Sequence, residues 1–468
     1  MQIEEESDFL RKLNELTLQY GRKQVDADTQ LLQGAFGHSL AVVGLEENFL
    51  WALSLLKSRV KESIEQAKGL IERLLYFQNE LGNFPRFLHD FPFCRDWSVA
   101  SRLLPIMCQI LKYFSSVIGS TLRERMIEKA LLLLQFALRQ ERSAQERGKL
   151  YASQVFFGRL LLDQALEGEG LAGLDSLFHR PDLSVWSSKS ALADALTALY
   201  LVYGEIAESP YRSFWSFYQK TYSAQAKSYI GPSLLEERMP VGLYDLYAAM
   251  LSKSFSSLPQ EGPALLSSAL LQRTKDHLFP LDEKSYSLES FLSNAALSQP
   301  IQSNWRQMPK ASFSLTPGST RPFSAWLGSP SRFLSYQGMG LLMRHAFVEG
   351  GVDLTFLVDQ TVERQPELNR ALVFHLKQPH CQFQVNGLIA NTFSLGDEVE
   401  IFEEDLSLKI TFDLIKGKGH FLGHLTPAAQ EQMKRLPLSS DPYDWQLFLR
   451  VVRLECPSEI LVRLRVLN

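Results

Sequence analysis

Apolar residues recur every three or four positions over the first part of the chain and every second position over the last part, which predicts helices followed by strands. In the segment FLWALSLLKSRVKESIEQAKGLIERLLYFQNEL, Leu56, Val60, Ile64, Ala67, Ile71 and Leu74 form one helical stripe. Lys61, Glu65, Lys68 and Glu72 take the opposite face, as expected of one amphipathic helix. The stretch DWSVASRLLPIMCQILKYFSSVIG repeats the pattern through Leu103, Met107, Ile110, Leu111 and Phe114, with Asp96 or Ser98 as the cap. Pro105 should kink that helix or mark its true start. LRERMIEKALLLLQFALRQ is apolar nearly all round, at Leu131 to Leu134 and at Phe136, which predicts a helix buried between others. With the further helical stretches up to Leu297, about eight to ten helices are expected. They share no repeat of fixed period, so consecutive antiparallel hairpins should build either an irregular bundle or a closed ring.

The segment SNAALSQPIQSNWRQMPKASFSLTPGSTRPFSAWLGSPSR breaks helices repeatedly with Pro, Ser and Gly, and reads as a linker leading into a second domain. Beyond it the period is two. In LSLKITFDL, Leu406, Leu408, Ile410, Phe412 and Leu414 alternate with Ser407, Lys409, Thr411 and Asp413, the pattern of a half-buried strand. Gly350-Gly351 and Asn386-Gly387 read as tight hairpin turns. The expected organisation is a helical domain over 1–300, a linker and opening strand over 301–330, and an antiparallel β-sandwich over 331–468.

Charge and composition narrow the function classes. With 48 basic and 52 acidic residues the net charge is −4, without the basic excess that neutralises phosphates in nucleic-acid binders. The basic groups Arg123, Arg125, Lys129, Arg139, Arg142 and Arg147 alternate with Glu124, Glu128, Glu141 and Glu146, a solvated helix face. Four scattered cysteines, Cys94, Cys108, Cys381 and Cys456, suit a reducing compartment rather than a disulfide framework. The acidic amphipathic start MQIEEESDFLRKLNEL does not read as a secretory signal, and no unbroken apolar run is long enough to span a bilayer. The expectation is a cytoplasmic protein; oligomeric state stays open.

Nucleotide and metal chemistry find no motif. GKGHFLG reads as a hairpin with no following helix, and LGSPS is not a nucleophile elbow. His420 and His424 share a strand side but lie about 13 Å apart at the usual rise per residue, too far for one zinc. His375 and His380 have only Pro379 to bring them together. No metal and no cofactor are expected.

The helices-then-strands order resembles the polysaccharide-lyase superfamily of heparinase II/III-like and chondroitin AC lyase-like proteins. The local cues are DWSVASRLLPIMCQIL with Trp97 and Arg102, SVWSSKSALADALTALYLVYGEI followed by SYIGPSLLEERMPVGLYDLYAAML, and RPFSAWLGSPSRF at the start of the strands. The resemblance implies an (α/α) toroid ahead of a β-sandwich, with a glycan or polysaccharide as partner. Departures are as informative. Where the family carries Asn and Tyr, this chain has Ser187, Ser188, Lys189, Ser190 and Ala191, and after Gly231-Pro232 the candidate arginine is displaced to Arg238. That points to a catalytically degenerate glycan-binding or scaffold protein, with an active uronate lyase and an unrelated interaction scaffold as alternatives.

β-Elimination from a uronate needs a donor on the carboxylate, a base for the α-proton and an acid for the leaving oxygen. Arg238 with Tyr244 is one candidate set; His89, in the aromatic loop NFPRFLHDFPFCRDW with Asp90 and Arg95, is another; His179 beside Arg180 and Asp182 is a third. Each has a plainer reading, as a core tyrosine or a loop histidine. Trp97, Trp186 and Trp305, with Arg102, are candidate substrate-binding residues, since an indole stacks on the apolar face of a sugar; Trp215 shares that chemistry. Indoles equally anchor helix packing.

Overall fold

The computed structural model describes residues 2–34, 41–140, 144–179, 197–199, 201–203, 210–211, 222–223, 228–229, 262, 264–271, 286–292, 301–317, 322–336, 342–358, 371–377, 382–403, 406–427 and 443–467. Arg238, Tyr244, Trp186, Trp215, His380 and the 187–191 segment lie outside them. The chain divides into two compact units, helical and sheet-forming.

The helical unit contains α1 (Gln2–Gln24), α2 (Leu45–Lys57), α3 (Lys61–Leu75), α4 (Val99–Ile118), α5 (Ser120–Leu138), α6 (Ala144–Leu161), α7 (Gln164–Phe178) and a short α8 (Ala264–Ser267) that runs into a 3₁₀ turn at Ser268–Leu270. The single stripe expected through Val60 is broken. Arg59 takes a left-handed φ of 57° and Val60, half-exposed, becomes the N-cap of α3. The apolar period continued across the turn because both helices bury their stripes in one core, so periodicity alone could not show the break. Pro105 lies inside α4, and Ser98 occupies its N-cap position. Helix α5 buries one face, Leu122, Met126, Ala130, Leu133, Leu134 and Ala137, whereas Leu132 and Leu138 are exposed, so it is amphipathic rather than enclosed.

Helix α2 is the centre of this core: Leu45, Phe49, Trp51, Ala52 and Leu53 have no exposed surface. Its buried Asn48 is satisfied on both sides. The amide nitrogen donates to the Leu32 and Gly44 carbonyls at 3.0 and 2.8 Å, and the oxygen accepts from the Leu32 amide at 2.8 Å. A buried amide left unpaired would cost about 1–3 kcal/mol, so this pairing fixes the 31–34 segment to α2. Residues 264–271 return to the earliest helices. Thr17 of α1 donates to the Leu265 carbonyl and bonds Ser268 Oγ, each at 2.9 Å; Lys57 Nζ and Gln109 Nε2 donate to the Leu271 and Leu270 carbonyls at 2.7 and 3.0 Å.

In the sheet-forming unit, β1 (Tyr222–Ser223) and β2 (Ser228–Tyr229) pair with each other. The remaining strands are β3 (Tyr286–Leu292), β4 (Ile301–Gln307), β5 (Ala311–Leu315), β6 (Phe323–Leu327), β7 (Ser329–Tyr336), β8 (Leu342–Val348), β9 (Gly351–Val358), β10 (Ala371–Lys377), β11 (Gln382–Val385), β12 (Thr392–Phe393), β13 (Glu398–Glu403), β14 (Leu406–Pro427) and β15 (Trp445–Leu467). Among the described residues they form one hydrogen-bonded antiparallel sheet, with the path β11-β13-β14-β15-β10-β7-β6-β5-β4-β3. The 301–330 segment read as a linker carries three strands of that sheet, β4, β5 and β6. Its Pro and Gly residues punctuate short meander strands rather than separating domains.

Two further strand expectations change. The stretches 406–417 and 420–425 are one long strand, β14, because register shifts around Lys416, Lys418 and His420 absorb the Lys-Gly-Lys-Gly segment without ending the ladder. GKGHFLG is therefore strand, not hairpin. β15 similarly joins two expected strands. Asn386-Gly387 is a two-residue turn, with φ of 50° and 78° and reciprocal Val385–Leu388 bonds at 2.7 and 3.0 Å.

Rings from strands that are not neighbours meet in the sheet core: Tyr336 of β7 and Phe356 of β9 have centroids 4.8 Å apart, and Phe374 lies within 6.2 Å of Phe356 and 6.1 Å of Phe412. The apolar side of the sheet thus packs against itself. No helix among the described residues is long and apolar enough to cross a membrane.

Candidate functional site

The 76–98 connection between α3 and α4 gathers exposed aromatic and cationic side chains. Polar side chains bonded to main chain shape it. Asn79 Oδ1 accepts from the amides of Leu81 and Asn83 at 3.1 and 2.9 Å. Asn83 Nδ2 donates to the Cys94 and Asp96 carbonyls at 2.9 and 3.1 Å, and Gln78 Nε2 donates to those of Gly82 and Lys129, both at 2.8 Å. Gly82 is required at the turn. Its φ is 90°, and an added Cβ would stand 2.8 Å from the Leu132 carbonyl oxygen. Phe84 is wholly buried edge-on to Phe49 of α2. The Phe91–Pro92 peptide is cis.

With its backbone held this way, the connection turns rings outward. Tyr76 is 74% exposed, Phe93 73% and Trp97 58%. Cations accompany them: the Arg86 guanidinium lies 5.1 Å from the Phe87 ring and that of Arg95 5.8 Å from Phe93. His89 stacks on Phe87 at 5.7 Å and faces Asp90 at 3.5 Å, with its side chain 63% exposed.

Arg102, expected as a substrate-binding residue, is engaged beneath this surface. It donates from Nη2 to Asp96 Oδ2 at 2.7 Å and to Ser98 Oγ at 3.0 Å, and its Nε lies 3.5 Å from Glu46. Asp96 also accepts from the Ser98 amide and hydroxyl at 2.9 and 2.7 Å. Burial disfavours the Asp96 carboxylate, but the Ser98 bonds and Arg102 outweigh it and hold the carboxyl below its usual range. Arg102 therefore fixes the residue preceding Trp97. Burial, then the charge of Glu46, raises the neighbouring Glu47 carboxyl to about 7.

His179 belongs to a different group. Its Nδ1 lies 3.8 Å from Asp175, which accepts the Tyr211 hydroxyl at 3.0 Å. The Tyr203 ring lies 5.8 Å from Tyr211 and 5.7 Å from the Arg159 guanidinium. This constellation has the residue types of proton-transfer chemistry, and only the four-residue spacing of Asp175 and His179 hinted at it in sequence. Burial raises both phenols, and the hydrogen bond to Asp175 adds to the rise at Tyr211, opposite to what a tyrosine base requires. Among the described residues, the contacts of His89 and those of His179 have no residue in common.

Trp305 is corrected. It lies in β4 at 2% exposure, between Asn304 at 8% and the half-buried Arg306, so its ring packs inside the sheet unit and presents no face to a sugar. His375 is likewise buried, 4.9 Å from the Tyr443 ring. Among the described residues no three His, Cys, Asp or Glu side chains cluster as a metal site.

No protein-family model matches the chain, and no curated protein sequence matches it. Among solved structures the chain is similar to a heparinase III, at 10% identity and a TM-score of 0.43, over 90% of this chain and 77% of that chain. It is also similar to a chondroitinase AC lyase studied with oligosaccharides, at 9% identity and a TM-score of 0.43, over 99% of this chain and 82% of that chain. At those values neither likeness carries residues or chemistry across to this chain.

Proposed function

We propose that the protein binds a glycan through the 76–98 connection and lacks lyase activity. The observation that carries this reading is the outward presentation of Tyr76, Phe93 and Trp97, beside Arg86 and Arg95, on a backbone anchored by Asn79, Asn83 and Gln78. Exposed rings offer flat apolar faces to the C–H sides of sugars, and the arginines add donors for hydroxyl, carboxylate or sulfate groups. Rigid anchoring lowers the ordering cost of binding.

The sequence resemblance and the return of residues 264–271 onto α1, α2 and α4 support a closed helical ring, and the self-packed apolar side of the sheet supports a sandwich. Loss of lyase activity is supported by Ser187–Ala191 in place of the family's Asn and Tyr.

The test is titration with neutral and acidic oligosaccharides, alongside absorbance of unsaturated uronate. Binding is expected, and Trp97→Ala should weaken it about tenfold or more, as for a central aromatic contact. Turnover to unsaturated product would replace the binding reading with the active lyase; no binding to any glycan would leave the interaction scaffold.

A further inference from the structure

Asn386-Gly387 is the sole Asn-Gly pair in the chain and forms the turn after β11, away from the aromatic connection. Asparagine before glycine is a reactive pair. The main-chain nitrogen of the second residue can attack the side-chain carbonyl carbon of the first, and glycine carries no Cβ to obstruct it. In a folded chain the reaction depends on the freedom of that nitrogen, the polarisation of that carbonyl and access of water.

All three are met at this turn. The Gly387 N–H has no hydrogen-bond partner among the described residues, whereas the amides on either side are held. Asn386 N–H donates to the Glu398 carbonyl at 2.9 Å, and Leu388 N–H to that of Val385 at 3.0 Å. Asn386 Oδ1 accepts from the Glu398 amide at 2.9 Å, which draws electron density from Cγ and steadies the oxyanion formed when Cγ is attacked. Both residues are exposed, and a Cβ added at Gly387 would meet nothing within 4 Å, so solvent reaches the pair.

We infer that Asn386 is a self-modification site, converted in the folded protein to aspartate and isoaspartate by attack of the Gly387 nitrogen. The Gly387 N–H loses its proton to solvent base, and a bond forms from that nitrogen to Asn386 Cγ. The Cγ–Nδ2 bond breaks, Nδ2 takes a proton from water and leaves as ammonia, and a cyclic imide remains. Water then opens the imide. Attack at Cγ gives aspartate, and attack at the main-chain carbonyl gives isoaspartate. Nothing is oxidised or reduced.

The fold gives this change a consequence. β11 ends the sheet path and, among the described residues, ladders only with β13. The turn caps its other side, because Val385 and Leu388 exchange two main-chain bonds at 2.7 and 3.0 Å. Asn386 ties the turn to the loop before β13. Its Nδ2 donates to Asp397 Oδ1 at 2.8 Å, while Asp397 Oδ2 accepts from the Ser394 amide at 2.6 Å. In the aspartate product an oxygen replaces that donor, and two carboxylates face each other. In the isoaspartate product the main chain gains a methylene, and the two-residue turn no longer closes. Either product frees Leu388 from Val385 and opens the edge of β11.

The full-length folded chain, held at mildly acidic and mildly alkaline pH and digested at intervals, tests this by mass spectrometry. Amide loss is expected at Asn386 before the other asparagines, faster at the alkaline pH and with isoaspartate among the products. Gly387→Asn keeps a residue that tolerates the left-handed conformation but crowds the nitrogen, and should lose most of the conversion. Asn386→Asp reproduces one product, and hydrogen exchange at the Leu388 amide should quicken. Adding Asp397→Asn restores a donor between the two side chains and should slow that exchange again. Amide loss confined to the denatured chain, or undiminished in Gly387→Asn, overturns the modification site. Exchange unchanged in Asn386→Asp, or not restored in the double variant, overturns its coupling to the sheet edge.

Discussion

The 76–98 connection and the core of the sheet are built from the same kinds of ring, arranged in opposite senses. In the connection, side-chain amides of Gln78, Asn79 and Asn83 satisfy and anchor the main chain, while Tyr76, Phe93 and Trp97 face solvent. In the sheet, neighbouring strands satisfy the main chain, and Phe323, Tyr336, Phe356, Phe374 and Phe412 are buried against one another. Aromatic content therefore says little about role. What decides it is which groups complete the backbone hydrogen bonds, because rings that need not hold the fold together are available for a ligand.

The sharpest way to break this contrast is to truncate a ring on each side. Phe374→Ala should destabilise the sheet unit by about 3–5 kcal/mol, the range for a large core truncation. Denaturant unfolding followed by the sheet signal would show it, and a loss below 1 kcal/mol would mean that the ring cluster is not the core. Next in size, Asn83→Ala should cost about 1–3 kcal/mol and lower glycan affinity as well, since the buried carbonyls of Cys94 and Asp96 lose their donor. Intact binding with reduced stability would show that the rings do not depend on that anchor.

Trp97→Ala should change stability by no more than about 0.5 kcal/mol, as for an exposed position, while weakening the glycan. A pH-dependent effect concerns Glu47. Because its folded carboxyl is raised to about 7, the folded state favours the protonated acid. Its ionisation penalty is absent below the ordinary carboxylate range, grows as pH rises to about 7 and is constant above that. Glu47→Gln should remove this slope, making the variant relatively more stable at pH 8 than at pH 5. Parallel melting curves for variant and wild type at the two values would refute it.

Much of the architecture was legible as period. The change from three-to-four spacing to alternation marks helices and strands because each buries one side. Breaks were legible only where residue type forced them. Gly119, at φ 84°, separates α4 from α5 as its sequence suggests, whereas Arg59 turns the chain left-handed with no Gly or Pro to announce it. The 301–330 strands were hidden by their own punctuation, since short meander strands need turn residues as often as a linker does. At the candidate site the aromatic segment was visible, but exposure was not. Trp97 and Trp305 both stand among polar residues in sequence, yet one is mostly open and the other closed. The difference lies in tertiary cover, which no local pattern encodes. The group around Tyr203, Tyr211, Arg159 and Asp175 was missed because its members come from separated parts of the chain.

One consequence follows from the placing of β15. It ladders with β14 along most of its length, with β10 at 445–450 and with β9 at 458–465, yet it comes after all of them in the chain. As the polypeptide emerges in order, β9, β10 and β14 must each wait with an unpaired edge until residues 445–467 arrive. During that interval the half-made sheet is a template for strand addition by other chains, so its yield in a cell should depend on translation speed and on chaperones that shield open edges.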